Sequence, residues 1–290
     1  MDDPARLGRL TEALASQPPR LVATDLDGTL LRSDGMPSAR TIAAVTAAEE
    51  QGIDVVLVTA RPPRWMDHLA SVAGAHGVAV CGNGAFVYDI AAREVVTTRP
   101  LHPELVARLR ADLARAVPGV IFAAERADGP VVQAGFPDSE TPGTMPTERV
   151  HVDASGPWSD DGVGKLLAVA PHWDDTEFLD AVARVVGGRG HVEYSGAAGL
   201  AEITAPGVTK AAALADWCRR RRVPRRQVWA FGDMPNDLSM LQWAGESFAV
   251  ANAHPEVLAA ARHTCASNDD DGVARVLEWL VATMTRPQGG

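Results

Sequence analysis

Leu21-Val22-Ala23-Thr24-Asp25-Leu26-Asp27-Gly28-Thr29-Leu30-Leu31 is the stretch on which the fold turns. An apolar run leads into two aspartates at i and i+2, then a glycine and a threonine, and the chain becomes apolar again. Residues i and i+2 of a strand point to the same side. A strand ending here delivers two carboxylates to one point, where they repel unless a cation or a shared proton lies between them. Gly28 permits a tight turn directly afterwards. The stretch reads as a buried strand that ends in acids and bends away, and open α/β sheets hold their ligands beyond the carboxyl ends of such strands. A lone Asp-x-Asp reads as readily as an Asx-turn; Asp25-x-Asp27-Gly28-Thr29 behind an apolar strand is far more specific.

Working outward, Ser38 caps a helix that Gly52 ends, and an apolar strand over 53–58 stops at Thr59-Ala60-Arg61-Pro62. A helix over 64–73 and a strand over 77–81 follow, closing in Gly82-Asn83-Gly84. Strand and helix alternating at this spacing mean βαβ units and a parallel sheet. From 86 to 203 the pattern changes to hairpins with two helices, over 103–116 and 174–186, and a Pro/Gly/Ser-rich loop over 135–163. After Pro206 the first pattern returns: a helix over 209–222, a strand over 228–231 running into Gly232-Asp233, a helix over 238–243, a strand over 247–250 and helices over 255–261 and 273–284. The expected architecture is α/β: a doubly wound, Rossmann-like parallel-sheet core formed by 1–85 and 204–290, interrupted by an inserted α+β module at 86–203. Residues 1–19 are an extra segment with helical character over 7–15.

The chain has 290 residues, 46% of them hydrophobic and 22% charged, enough for a sizeable core. A net charge of −10 argues against nucleic acid as a partner. The arginines at 219–222, 225 and 226 read as a helix C-terminus complementing its dipole. Cys81, Cys218 and Cys265 are scattered and odd in number, which suggests a reducing compartment. No signal peptide or membrane-length apolar run is evident, so a cytoplasmic protein without a membrane partner is expected. Monomer and homodimer both stay open.

Four signals fall at strand ends or helix starts of the α/β part: Asp25 with Asp27, Thr59, Lys210 in Thr209-Lys210, and Gly232-Asp233-Met234-Pro235-Asn236-Asp237. In a parallel sheet the strands' carboxyl ends share one edge, so these groups can converge from distant parts of the chain. The acids alone would repel strongly. Mg²⁺ held by one or two carboxylates and a substrate phosphate resolves that. Lys210 would neutralise phosphoryl oxygens, and Thr59 with nearby N–H groups would hold another. Asp25 suits attack on phosphorus, and Asp27 suits protonation of a leaving alcohol and deprotonation of water.

Asp25-Leu26-Asp27-Gly28-Thr29, Thr59, Lys210 and Gly232 to Asp237 resemble the haloacid dehalogenase-like phosphatase superfamily, in its Cof-type branch with a large α/β cap between the second and third motifs. Asn83-Gly84-Ala85, Ala251-Asn252-Ala253-His254-Pro255 and Asn268 to Ala274 resemble that branch as well. The resemblance implies a Mg²⁺-dependent phosphomonoesterase acting on a small phosphorylated metabolite, a sugar phosphate or a nucleotide-like cofactor. Asp25 would be the nucleophile and Asp27 the general acid/base. Asp25, the backbone carbonyl of Asp27 and Asp233 would bind the metal. Thr59, Ala60, Lys210 and Asn236 would form the phosphate site, with Asn236 and Asp237 supporting Lys210 or a metal-bound water. Ala60 departs from the glycine of many relatives, which a negative φ would accommodate. A sugar phosphomutase of the same superfamily and a phospho-aspartate switch are the competing readings.

Overall fold

The computed structural model describes residues 18–72, 77–137, 150–152, 162–194 and 199–285. The helical segment expected over 7–15 and most of the loop over 135–163 lie outside the described residues. β1 (Leu21–Thr24) runs parallel to β2 (Asp54–Val58), and β2 to β3 (Val78–Cys81). Both faces of β1 are buried, which its unbroken apolar run already required. Between β1 and β2 lies α1 (Ala39–Glu50), whose N-cap Ser38 accepts a hydrogen bond from the Thr41 N–H. β4 (Phe86–Asp89) and β5 (Glu94–Thr98) form an antiparallel hairpin on the edge of β3.

A second sheet follows. Its strands are β6 (Ile121–Arg126), β7 (Gly129–Gln133), β8 (Val150–Val152), β9 (Val163–Val169), β10 (His191–Glu193) and β11 (Leu200–Thr204), in the spatial order β10-β11-β9-β6-β7-β8. Alternate residues such as Phe122, Leu166 and Ile203 bury one face against α2 (Pro103–Ala116) and α3 (Asp175–Val186), which contribute Leu109, Leu113, Phe178 and Val182. The intervening residues point to the opposite face.

After α4 (Lys210–Arg221) the chain rejoins the first sheet as β12 (Val228–Gly232), α5 (Leu238–Trp243), β13 (Glu246–Val250), α6 (Pro255–Ala260), β14 (His263–Cys265) and α7 (Gly272–Met284). The completed order is β14-β13-β12-β1-β2-β3-β4-β5. Strand order reverses between β1 and β12, so the crevice of a doubly wound sheet opens at the ends of those two strands.

Two expectations need correction, and one strand was missed. The hairpin over 86–98 extends the first sheet; the strands of the second begin at Ile121. Phe86 is fully buried in the first core, and β4 covers an edge that β3 would otherwise expose. The single helix over 64–73 is instead two short turns, Pro63–Trp65 and Asp67–Val72, because Pro62 and Pro63 fix φ and offer no N–H. β14 was not expected: three residues without an apolar run give too little pattern.

Candidate active site

The site forms where the order of the first sheet reverses. The Asp25 N–H donates to the Phe231 carbonyl of β12 at 3.0 Å, which fixes the acid at the mouth of β1. Lys210, the first residue of α4, is buried and donates to Asp25 Oδ1 at 2.6 Å and to Asp237 Oδ1 at 2.7 Å. Asp237 Oδ2 accepts from the backbone N–H groups of Asp233 and Met234, both at 3.1 Å. Thr29 Oγ1 donates to Asp233 Oδ1 at 2.8 Å. One carboxylate oxygen each from Asp25, Asp233 and Asp237 lie within 4.8 Å of one another.

Packing this many acids together shifts their ionisation. Burial pushes the Asp25 carboxyl well above its ordinary range; Lys210 opposes the shift, and Asp237, Asp233 and Asp27 add to it. Burial and Asp237 push Asp233 up to about 7. Burial alone would lower the Lys210 ammonium, but Asp237 and Asp25 outweigh it and hold the group well above its usual value. The donor set is all carboxylate, hard and crowded, and it fits a hard divalent cation. Asp237 already accepts three hydrogen bonds, which leaves Asp25 and Asp233 as the better-placed ligands.

Glycine at 28 is a geometric necessity. Its φ is +76°, and a Cβ built there would lie 2.4 Å from Asp233 Oδ2. The loop after β1 is held from the far end of the chain. Asn252 Nδ2 donates to the Gly28 carbonyl at 2.8 Å, Asn268 Nδ2 to the Leu31 carbonyl at 3.0 Å, and Arg32 grips Asp271 with contacts of 2.8 to 3.1 Å. Gly84 lets the turn after β3 meet the start of α4, since a Cβ there would lie 2.4 Å from the Thr209 carbonyl.

The remaining expected residues divide. Thr59 is buried at the end of β2, its hydroxyl accepting from the Arg61 N–H at 3.0 Å. Ala60 is not among the residues at positive φ, so alanine is unstrained; its carbonyl accepts from Lys165 Nζ at 2.8 Å. Asp27 is half-exposed and lies outside the three-acid cluster. Arg61, 2% exposed, holds it through two contacts, Nε to Oδ2 at 2.8 Å and Nη2 to Oδ1 at 2.6 Å. Asn236 does not reach Lys210. Its Nδ2 donates to Asn83 Oδ1 at 3.2 Å, and its Oδ1 is buried without a partner.

Sequence reasoning missed Arg61 and, although it placed specificity in the inserted module, the particular residues that the second sheet contributes. A cavity of about 210 Å³ lies between the two sheets, with Asp25, Asp27 and Asn236 on one side and Lys165, Leu167 and Glu202 on the other. Lys165 and Glu202 form a buried ion pair at 2.6 Å, and Asn83 Nδ2 donates to Glu202 at 3.0 Å. Glu125 pairs with Arg64 across the boundary. A signal was present: a lysine inside Val163–Val169 and a glutamate inside Leu200–Thr204 break otherwise apolar strands.

A family model described as haloacid dehalogenase-like hydrolase matches residues 22–277. The 5-amino-6-(5-phospho-D-ribitylamino)uracil phosphatase YitU of Bacillus subtilis (strain 168) is 30% identical over 267 residues, covering 90% of this chain and 97% of that protein. The pyridoxal phosphate phosphatase YbhA of Escherichia coli (strain K12) is 27% identical over 277 residues, covering 89% and 97%. Among solved structures, SMU.1108c from Streptococcus mutans UA159 superposes with a TM-score of 0.78 at 25% identity, covering 91% of this chain and 99% of that one.

Proposed function

The chain belongs to the haloacid dehalogenase-like hydrolases, in their Cof-type branch, and on that premise we propose that it is a Mg²⁺-dependent phosphomonoesterase acting on a small phosphorylated metabolite through an aspartyl-phosphate. The observation that carries the reading is the contact of Lys210 Nζ with Asp25 Oδ1 at 2.6 Å, at the mouth of β1 and beside Asp233 and Asp237.

Asp25 attacks phosphorus, forming an O–P bond as the bond to the leaving oxygen breaks. Asp27 in its protonated form gives its proton to that oxygen. It later takes one from the water that cleaves the aspartyl-phosphate, which restores Asp25 and releases phosphate. Arg61 positions Asp27 through its two contacts and must release or rotate it for the proton to reach the leaving oxygen. Lys210 stays protonated throughout, given the acids around it, and with the Thr59 hydroxyl it binds the phosphoryl oxygens. Asp25, Asp233 and the Asp27 carbonyl would hold Mg²⁺, which when bound would supply positive charge to the clustered acids and the phosphoryl group.

The test is phosphate release from p-nitrophenyl phosphate and a panel of phosphorylated metabolites, with and without Mg²⁺, with Asp25→Asn as the blank. Mg²⁺-dependent turnover that the substitution abolishes is expected. A phosphoryl group that persists on Asp25 would favour the switch, and transfer to a second sugar position would favour the mutase. An Asp25→Asn variant of wild-type rate would overturn the nucleophile assignment.

A further inference from the structure

The face of the second sheet that looks towards the first carries its chemistry in a defined pattern. Glu193 of β10 stands directly opposite Glu202 of β11, so two acids share one face at one register position. Glu125 of β6 stands opposite Lys165 of β9. These groups are not equally satisfied. Glu125 is neutralised by Arg64, and Glu202 by Lys165 and the Asn83 amide. Lys165 is itself occupied by Glu202 and the Ala60 carbonyl. Among the described residues, Glu193 is the acid of this face without an ion pair. Its register position opposite Glu202, which lines the cavity, puts it on the cavity face of the sheet beside that lining; it is half-buried, and burial pushes its carboxyl up to about 7. Like charges directly opposite on a sheet are unfavourable, so the arrangement needs an account.

A second observation points the same way. Glu202 is an acceptor, so Asn83 must present its Nδ2 there and its Oδ1 to Asn236. Asn236 must then donate through Nδ2, which leaves its Oδ1 as a buried acceptor lining the cavity with no donor. Next to it the wall is apolar, formed by Leu167 and Leu200. Beyond the phosphoryl site, then, the cavity offers unmatched acceptors and hydrocarbon. Among the described residues, no unpaired cation faces it from the second sheet. A second phosphate or a carboxylate on the substrate would approach Glu193, with Lys165 already committed to Glu202.

We infer that the leaving group this site accepts carries hydroxyl or amino donors and no second anionic group, with Glu193 as the residue that enforces the exclusion. The inference rests on the phosphatase reading and specifies its substrate class. Two matched pairs test it: sorbitol 6-phosphate against 6-phosphogluconate, which exchanges a hydroxymethyl for a carboxylate, and glucose 6-phosphate against glucosamine 6-phosphate, which adds an ammonium. Each compound is measured as a substrate with Mg²⁺ and as a competitor of p-nitrophenyl phosphate. The carboxylate compound should be poorer by about tenfold or more, the scale of an unpaired like-charge contact, and the ammonium compound equal or better. Glu193→Gln should narrow both differences. Glu104→Gln, which removes the same charge from the exposed outer surface of α2, should leave both ratios alone.

Equal handling of 6-phosphogluconate and sorbitol 6-phosphate would overturn the inference, as would failure of all four compounds to compete, or ratios that ignore Glu193→Gln. If p-nitrophenyl phosphate itself is not hydrolysed by the wild-type protein, the phosphatase reading fails instead, and the two failures are thereby separate.

Discussion

In the first sheet the working groups stand beyond strand ends: Asp25 after β1, Thr59 after β2, Asp233 after β12. In the second they stand in mid-strand, as Glu125 in β6, Lys165 in β9 and Glu202 in β11. The difference has a physical origin. A group at a strand end needs the backbone to turn, so it travels with glycines and short polar runs, and its position is tied to the sheet. A group on a strand face needs only one side chain exchanged at an alternating position. The first arrangement is tied to the backbone; the second changes with single side chains.

That contrast can be broken at several points. Asp25→Asn should reduce kcat by about 10⁴-fold or more, as removal of a nucleophile does, while the protein stays folded by circular dichroism. Asp27→Asn should reduce kcat by about 10² to 10⁴-fold, the range for a general acid, with a modest fall in unfolding midpoint because the buried Arg61 loses its counter-ion. Lys210→Met tests whether the strand-end cluster also bears on stability. It leaves Asp25 and Asp237 buried without their cation, so a loss of about 3 kcal/mol or more in urea unfolding is expected. Unchanged stability would mean that the acids are protonated or solvated. Lys165→Met sharpens the contrast from the other side. It should raise KM by about tenfold with a smaller change in kcat, the mark of lost ground-state binding; the opposite split would assign the second sheet a part in the chemical step.

A last effect concerns pH. Asp233 has a folded value near 7, against about 3.9 for an unfolded aspartate. The folded state therefore holds a proton that the unfolded state has lost, and stability without metal falls as pH rises from about 4 to about 7. Below both values the effect vanishes, and above both it is complete. Mg²⁺ requires the ionised acids, so its stabilisation in thermal unfolding should be larger at pH 8 than at pH 5.5. An equal shift at both would remove Asp233 from the ligand set.

What the sequence disclosed follows the same division. Asp25, Thr59, Lys210 and Asp233 were legible because strand ends and helix starts of a parallel sheet share one edge, so linear motifs translate into convergence. Helix bounds were legible where caps are chemical, as at Ser38, Pro103 and Asp174. Arg61 was not, since an arginine after a strand has many uses and only the fold brings it to Asp27. Resemblance gave Asn236 to the phosphate site, supporting Lys210 or a metal-bound water; its hydrogen bond to Asn83 lay beyond any local pattern, because the turn after β3 supplies the partner. Glu193 and Glu202 lie in short strands whose pairing sets which side they face, and pairing is a long-range property that no local pattern states.

β1 has one further consequence, in how the protein is made. Its partner on one side, Asp54–Leu57, follows closely, but its partner on the other, Val228–Phe231, is synthesised about two hundred residues later. At translation rates of about 5–20 residues per second, roughly 10–40 s pass with one hydrogen-bonding rim of the innermost strand bare. An open strand of that kind invites pairing with a neighbouring nascent chain. The inserted segment thus prolongs a vulnerable interval on the ribosome, and the need for chaperone protection should grow with the length of that insertion.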